Sequence, residues 1–447
     1  MNNVVDIHFV DCCKRDYVFS FFRKIAIFIC FVMNFSTPLS TMAAACTPCI
    51  STPGESIWTM VDKLRASSCA GTLLRNSDLP ITLTTPGIYS LCENIQYTGL
   101  SPAITITPTT GPIYFNMTCH SITIETGSVG GAFAISPSSP VTIVNGFIVS
   151  NHATVNLIQG NSDFSIENVN FGSIAGFNGT GCIGINLAQG VGMRCKDCIF
   201  TGLDAGISAN INTNLFYVDH CTFVDNNLAG LQDINPAAIS TLGNGSGTIT
   251  NCVFQGGADG ILLNNTTSWS IETCYLNGAG SSGAAIHLVN CQNVFIRDIF
   301  IENTRRPAAT ALGIWLDGTI GAGFSGINNI SITDSYITDC NAGGIFSQEC
   351  ISVAIVNCKI SSCSAFGIHL TSTDVADAAD VLVQSNQVSF CSGGGIFVMI
   401  PGGDPAVFNN TVVRSTPAYS AQIIASGLVA TTFPAISTAT FWWNVAV

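Results

Sequence analysis

From about residue 80 onward, apolar and polar residues alternate in short runs separated by Gly, Asn, Ser and Asp. One unit reads Gly344-Ile-Phe-Ser-Gln-Glu-Cys350, then Ile351-Ser-Val-Ala-Ile-Val-Asn-Cys358, then Lys359-Ile-Ser-Ser-Cys363. A period of two marks strands with one buried face, and the residues between the runs mark tight turns. Within 80–415 no segment carries a long helical pattern. The units share a core phrase. It reads Gly206-Ile207-Ser208-Ala209, Gly230-Leu231-Gln232-Asp233, Gly260-Ile261-Leu262-Leu263 and Ala285-Ile286-His287-Leu288, and continues as Gly313-Ile314-Trp315-Leu316, Gly344-Ile345-Phe346-Ser347, Gly367-Ile368-His369-Leu370 and Gly395-Ile396-Phe397-Val398. Successive second residues lie 24, 30, 25, 28, 31, 23 and 28 positions apart. A constant phrase with elastic spacing predicts stacked units whose loops vary in length.

Three short strands per unit predict an all-β solenoid of about a dozen coils, a right-handed parallel β-helix with coils stacked at about 4.8 Å. One coil cannot bury its own apolar face, so stability comes from many coils in register. Weaker early coils are visible at Ala103-Ile-Thr-Ile106, Ala132-Phe-Ala-Ile135 and Ile183-Gly-Ile-Asn-Leu187. With the Gly-Ile-x-Leu phrase and stretches such as Val218-Asp-His-Cys-Thr-Phe223, Ile249-Thr-Asn-Cys-Val-Phe254 and Val356-Asn-Cys-Lys-Ile360, the chain resembles the pectin-lyase-like superfamily over roughly residues 80–415. That resemblance implies the fold. It does not choose among lyases, hydrolases, epimerases, adhesins and non-catalytic surface proteins.

The ends differ from the repeat. Residues 1–45 read as a secretory signal segment: Lys14, Arg15, Arg23 and Lys24 precede the apolar run Ile25–Met33, and Ala43-Ala44-Ala45 supply small residues for cleavage. A true start further downstream, or a lipid-modified Cys46, are the alternatives. Residues 46–79 are expected to form an N-terminal cap, with Ile57, Met60, Val61 and Leu64 at helical spacing on a short amphipathic helix. Residues 416–447 lose the repeat and read as a C-terminal cap or tail. These readings predict a secreted or cell-surface protein with no membrane span once the signal is removed.

Charge narrows the partners. Of the 447 residues only 9% are charged, against about 25% in ordinary domains, and the formal net charge is −13. No basic stripe exists to meet phosphates, so nucleic acid is not an expected partner. An acidic polysaccharide would be repelled, whereas a neutral polysaccharide or cell-surface glycan would not. The 20 cysteines fall at repeated positions. Cys198, Cys221, Cys252, Cys274 and Cys358 share one column, with Asp298, Asp334 and Asn386 in the other rungs; Cys340, Cys363 and Cys391 share a second. Free Cys packs as a small hydrophobe, so these read mainly as packing ladders, with rung-to-rung disulfides the alternative. No metal or cofactor is expected, because Cys195-x-x-Cys198 has no second half.

In Gly-Ile-x-Leu the Ile and Leu point inward and x points outward. The last five x residues, His287, Trp315, Phe346, His369 and Phe397, predict a ribbon of rings along one outer face, with Asp317 just beyond the Trp315 strand. These six are the candidate glycan-binding residues, since aromatic faces suit sugar rings; the plain alternative is a structural ladder or a ribbon covered by the chain's own loops. For hydrolysis the available carboxylates are Asp317, Asp233 and Asp259. The Asn-Thr-Asp, Asp-Asp and Gly-His-Gly motifs of polygalacturonase-like hydrolases are absent. Tyr217-Val-Asp219-His220 looks like a pectate lyase stretch, but His220 aligns with Asn251 and Asn357 and so reads as a rung residue. Arg305-Arg306-Pro307 reads as a solvated loop, and His287 with Asp317 as a possible acid–base pair. The leading expectation is non-catalytic glycan binding or adhesion. A polysaccharide-active enzyme and a purely structural solenoid are the alternatives.

Overall fold

The computed structural model describes residues 71–421 apart from short inter-strand stretches, the longest being 174–180, 227–236, 305–310, 319–326 and 373–379, and beyond them 424–425, 428–429 and 445–446. The expected signal segment, the amphipathic cap helix and most of the tail lie outside the described residues. Every strand pairing in the solenoid is parallel; the antiparallel pair Ile424–Ala425 with Leu428–Val429 stands apart. One sheet has fourteen strands, one from each coil, and a second has twenty-six and bends around a corner to form the other two sides. The strands Val141–Ser150 and Phe164–Ser173 run through that corner unbroken. Pairing begins at Thr72–Leu74, and helical structure among the described residues is one turn at Asn76–Asp78. No helix among them is long and apolar enough to cross a membrane.

The corners explain the polar punctuation. Asp197, His220, Asn251, Thr273, Asp298, Asp334, Asn357, Ser385 and Asn409 occupy one column of successive coils, and all have φ between 52° and 57°. Left-handed backbone is where short polar side chains are tolerated and most others are strained. This column corrects the expected cysteine alignment. Pairing of Tyr275 with Phe300 and of Phe300 with Tyr336 puts Ile299 and Ser335, not Asp298 and Asp334, in the row of Cys198, Cys221, Cys252, Cys274 and Cys358. The aspartates sit one place earlier, at the turn. A second correction concerns the coil assigned to Gly230-Leu231. The residue that pairs with both Ile207 and Ile261 is Ile239, within Ala237–Leu242. Ala237-Ala238-Ile239-Ser240 offers the small residue before Ile that the corner requires, which makes Ser240, not Gln232, the x residue of that coil.

Inside, each position repeats its neighbour. Phe171, Phe200, Phe223 and Phe254 stack in one file, with centroids 4.7, 4.8 and 4.7 Å apart and planes within 5° of parallel. The file continues as Leu276, Ile301, Ile337 and Ile360, all buried. The buried cysteines are free thiols. Those at the corners donate S–H to the carbonyl two residues back, as Cys252 does to Thr250 at 3.1 Å and Cys358 to Val356 at 3.5 Å. Ser335, in the same column, makes the same bond to Thr333 at 2.8 Å. The cysteine ladders therefore fill volume and satisfy corner carbonyls.

The glycine of Gly-Ile-x-Leu has a steric role. A Cβ on Gly367 would lie 2.3 Å from Val388 Cγ1 and 2.7 Å from the Gly395 carbonyl oxygen. This position and the Ile after it both face inward, so the chain kinks between them and the residue before the glycine returns to the outer face.

Candidate functional site

The ring residues are brought together in register. His287 pairs with Trp315, Trp315 with Phe346, Phe346 with His369 and His369 with Phe397 along the fourteen-stranded sheet. All five are half-buried and face outward, as expected of the x position. Their ring geometry differs from the expected row of open flat faces. The His287 imidazole lies parallel to the Trp315 indole, 4.2 Å between centroids and 4° between planes, so each ring covers one face of the other. His369 stands edge-on to Phe346 at 5.3 Å and 77° and to Phe397 at 4.5 Å and 80°. Phe366 joins them, 4.5 Å from His369. The ribbon thus has one parallel stack, His287 on Trp315, and an edge-to-face cluster around His369.

At the His287 end the ribbon becomes polar. Asp317 Oδ2 lies 3.9 Å from His287 Nε2, and Asp259 Oδ2 lies 3.8 Å from His287 Nδ1. Asp317 also accepts a hydrogen bond from the Gln348 amide, and Asp259 accepts one from the Ala284 N–H at 2.7 Å. The His287 side chain is 13% exposed. Burial alone would disfavour its charge, but the two flanking carboxylates outweigh that and raise its pKa to about 9. In turn His287, against the effect of burial and with help from Gln348, holds Asp317 below the usual carboxylate range. At 3.8 and 3.9 Å these contacts are ion pairs without hydrogen-bond geometry, and His287 Nε2 has no hydrogen-bond partner among the described residues.

Two other ring nitrogens share that condition. Trp315 Nε1 and His369 Nδ1 are buried without a partner among the described residues. Burial pushes His369 below the usual imidazole range, so it is neutral where His287 is charged. The two histidines of one column thus carry opposite protonation states, set by whether carboxylates stand beside them.

Asp259 and Phe366, two residues before the Ile of their coils, share this face because of the kink at the intervening glycine. Asp259 is among the carboxylates already named for hydrolysis, whereas reading only the x column passes over Phe366. Gln348 leaves no mark of its own in the sequence; pairing with Asp317 places it. His220 sits in the left-handed turn with φ 52°, and its Nδ1 is 2.8 Å from Asp219 Oδ1. Thr250 and Asn251 also donate to that carboxylate, each at 3.0 Å, so Tyr217-Val-Asp219-His220 braces a corner. Asp233, Arg305, Arg306 and Pro307 lie outside the described residues. Elsewhere, in the core, the sulfurs of Cys195, Cys198 and Cys221 lie within 4.8 Å of one another, close enough to hold one metal ion. The third of these is 23 residues from the second and invisible to motif spacing.

The family described as right handed beta helix region matches residues 314–432. Its pattern and the parallel coils together make the fold a right-handed parallel β-helix. Among solved structures the chain is similar to tailspike protein 3 of bacteriophage CBA120, at 13% identity and a TM-score of 0.42 over 86% of this chain and 61% of that one. It is also similar to the catalytic domain of a GH87 α-1,3-glucanase in complex with tetrasaccharides, at 10% identity and a TM-score of 0.32 over 88% of this chain and 67% of that one. This chain therefore spans less than two thirds of the tailspike. No curated protein matches the sequence.

Proposed function

We propose that this right-handed parallel β-helix is a secreted or surface-displayed protein that binds a neutral polysaccharide or cell-surface glycan, without cleaving it, along the His287–Phe397 ribbon. One observation carries the reading. Five ring residues, His287, Trp315, Phe346, His369 and Phe397, stand in register on successive coils and face outward on one sheet. A glycan laid along the ribbon would meet a ring at every rung, with Asp259, Asp317 and Gln348 completing a polar end and Phe346, Phe366 and Phe397 supplying apolar contact. The net charge of −13 and the two carboxylates favour a neutral glycan over an acidic one.

The catalytic alternative has less behind it. A general base works best with a pKa near the working pH. His287, raised to about 9, is already protonated at neutrality, and Asp317 is held ionised and weakly basic. The pair expected as acid and base is a standing ion pair.

The test is a glycan array with a polysaccharide depolymerisation assay, on the chain beside Trp315→Ala and His369→Ala. Binding without product, weakened at least about tenfold in both variants (about 1.4 kcal/mol), is expected. Released oligosaccharide would replace this reading with an enzymatic one, and binding unchanged in both variants would move the site elsewhere.

A further inference from the structure

We infer that Cys195, Cys198 and Cys221 form a buried three-sulfur site for a soft, thiophilic cation of the copper(I) or cadmium(II) kind. Cys198 and Cys221 belong to the corner ladder, and their S–H groups reach the carbonyls of Lys196 and Asp219 at 3.2 and 3.4 Å. Cys195 belongs to no ladder. Its column on successive coils is aliphatic: Ile166 before it, then Val218, Ile249 and Ile271 after it. A thiol stands there in place of a β-branched core residue, and it stands on the first rung of a run of four ladder thiols, Cys198, Cys221, Cys252 and Cys274. Its sulfur is 3.6 Å from that of Cys221. All three sulfurs lie within 4.8 Å of one another, and the residues are 0–1% exposed.

The donor set selects the cation. Three sulfurs with no oxygen or nitrogen ligand favour soft ions over magnesium, calcium or manganese. Sulfurs from an x-x-spaced pair on one rung and a third on the next define a three-coordinate pocket walled by apolar side chains, which suits an ion content with few ligands. Binding displaces thiol protons. Because the site has no exposed surface, the cation enters as the chain folds.

The experiment is to fold the full chain under reducing, oxygen-free conditions with cadmium(II) or copper(I), remove excess ion, and read bound metal by native mass spectrometry and thiolate-to-metal charge-transfer absorption. Cys195→Val restores the residue type of its own column, and Cys198→Ser copies Ser335, so both changes are ones this solenoid already tolerates. About one ion per chain is expected in the unaltered protein and in Cys358→Ser, with loss of both signals in Cys195→Val and Cys198→Ser. Circular dichroism of each variant separates loss of metal from loss of fold. A folded protein that takes up no ion, or one that keeps its ion in Cys195→Val, overturns the site. So does a Cys195–Cys221 disulfide in protein that has been folded with metal.

Discussion

His287 lies flat on Trp315, one rung away, with centroids 4.2 Å apart, and the carboxylates of Asp259 and Asp317 stand on either side of the same imidazole. The stack follows from the register: Ile286 pairs with Ile314, so the residues after them must superimpose. The charge follows from the neighbours. A protonated imidazole over an indole gains a cation–π attraction of about 0.5–2 kcal/mol, so ring stack and ion pairs favour the same protonation state.

His287 should therefore titrate with a midpoint of about 9, against an ordinary value of 6.5. A pKa raised by folding stabilises the native state fully below the unfolded value and loses that contribution as pH rises through the folded one. Stability should fall between about pH 6.5 and 9 from this group. Imidazole NMR and denaturation at both ends of that window check it; a His287 midpoint near 6.5 would remove the ion-pair account.

Asp317→Asn removes one of the two carboxylates while leaving an oxygen for the Gln348 amide. The His287 midpoint should drop toward 6.5, and stability at pH 7 should fall by on the order of 1–3 kcal/mol. If melting temperature drops and the midpoint does not, Asp317 matters for packing and not for charge.

Phe223 touches ring neighbours on both sides, Phe200 and Phe254. Phe223→Ala should cost about 3–5 kcal/mol, because two stacked pairs are lost and parallel coils above and below cannot close the gap without breaking register. Urea unfolding measures it, and a cost under about 1 kcal/mol would show that the file of rings can collapse.

Thr273 is an exposed β-branched residue in a left-handed turn, φ 53°, where the same column elsewhere uses Asn, Asp, Ser or His. Thr273→Asn should stabilise the protein by about 1 kcal/mol by relieving that strain. Thermal denaturation is sufficient, and a destabilised variant would mean the threonine methyl packs against something worth more than the backbone relief.

Much of this was legible in the chain itself. A strand period of two, glycine before an inward Ile, and a polar residue at each corner repeat so often that the parallel solenoid and its outward ring column could be read directly. His287, Trp315, Phe346, His369 and Phe397 do lie side by side, because in a parallel stack equal phrase position means spatial contact. Reading went wrong where the phrase degenerates. Ile239 replaced Leu231 because Gly230-Leu231 carries the glycine of the phrase and Ala238-Ile239 does not, and Asp298 and Asp334 slipped one place because the corner residues after them, Ile299 and Ser335, lack the Cys that marks the column.

The sequence by itself determined the fold, which face each column presents, and the excess of acidic over basic residues, since these depend on periodicity and composition. Tertiary structure alone decided what the columns do chemically. Ring planes turned parallel or edge-on according to neighbours one rung away. His287 is charged and His369 neutral because Asp259 and Asp317 reach only the first. Cys221 closes a trio with Cys195 and Cys198 only once two coils are stacked. Interactions between coils depend on distances of a few ångströms between residues 20 to 30 positions apart, and no local pattern in a chain encodes that separation.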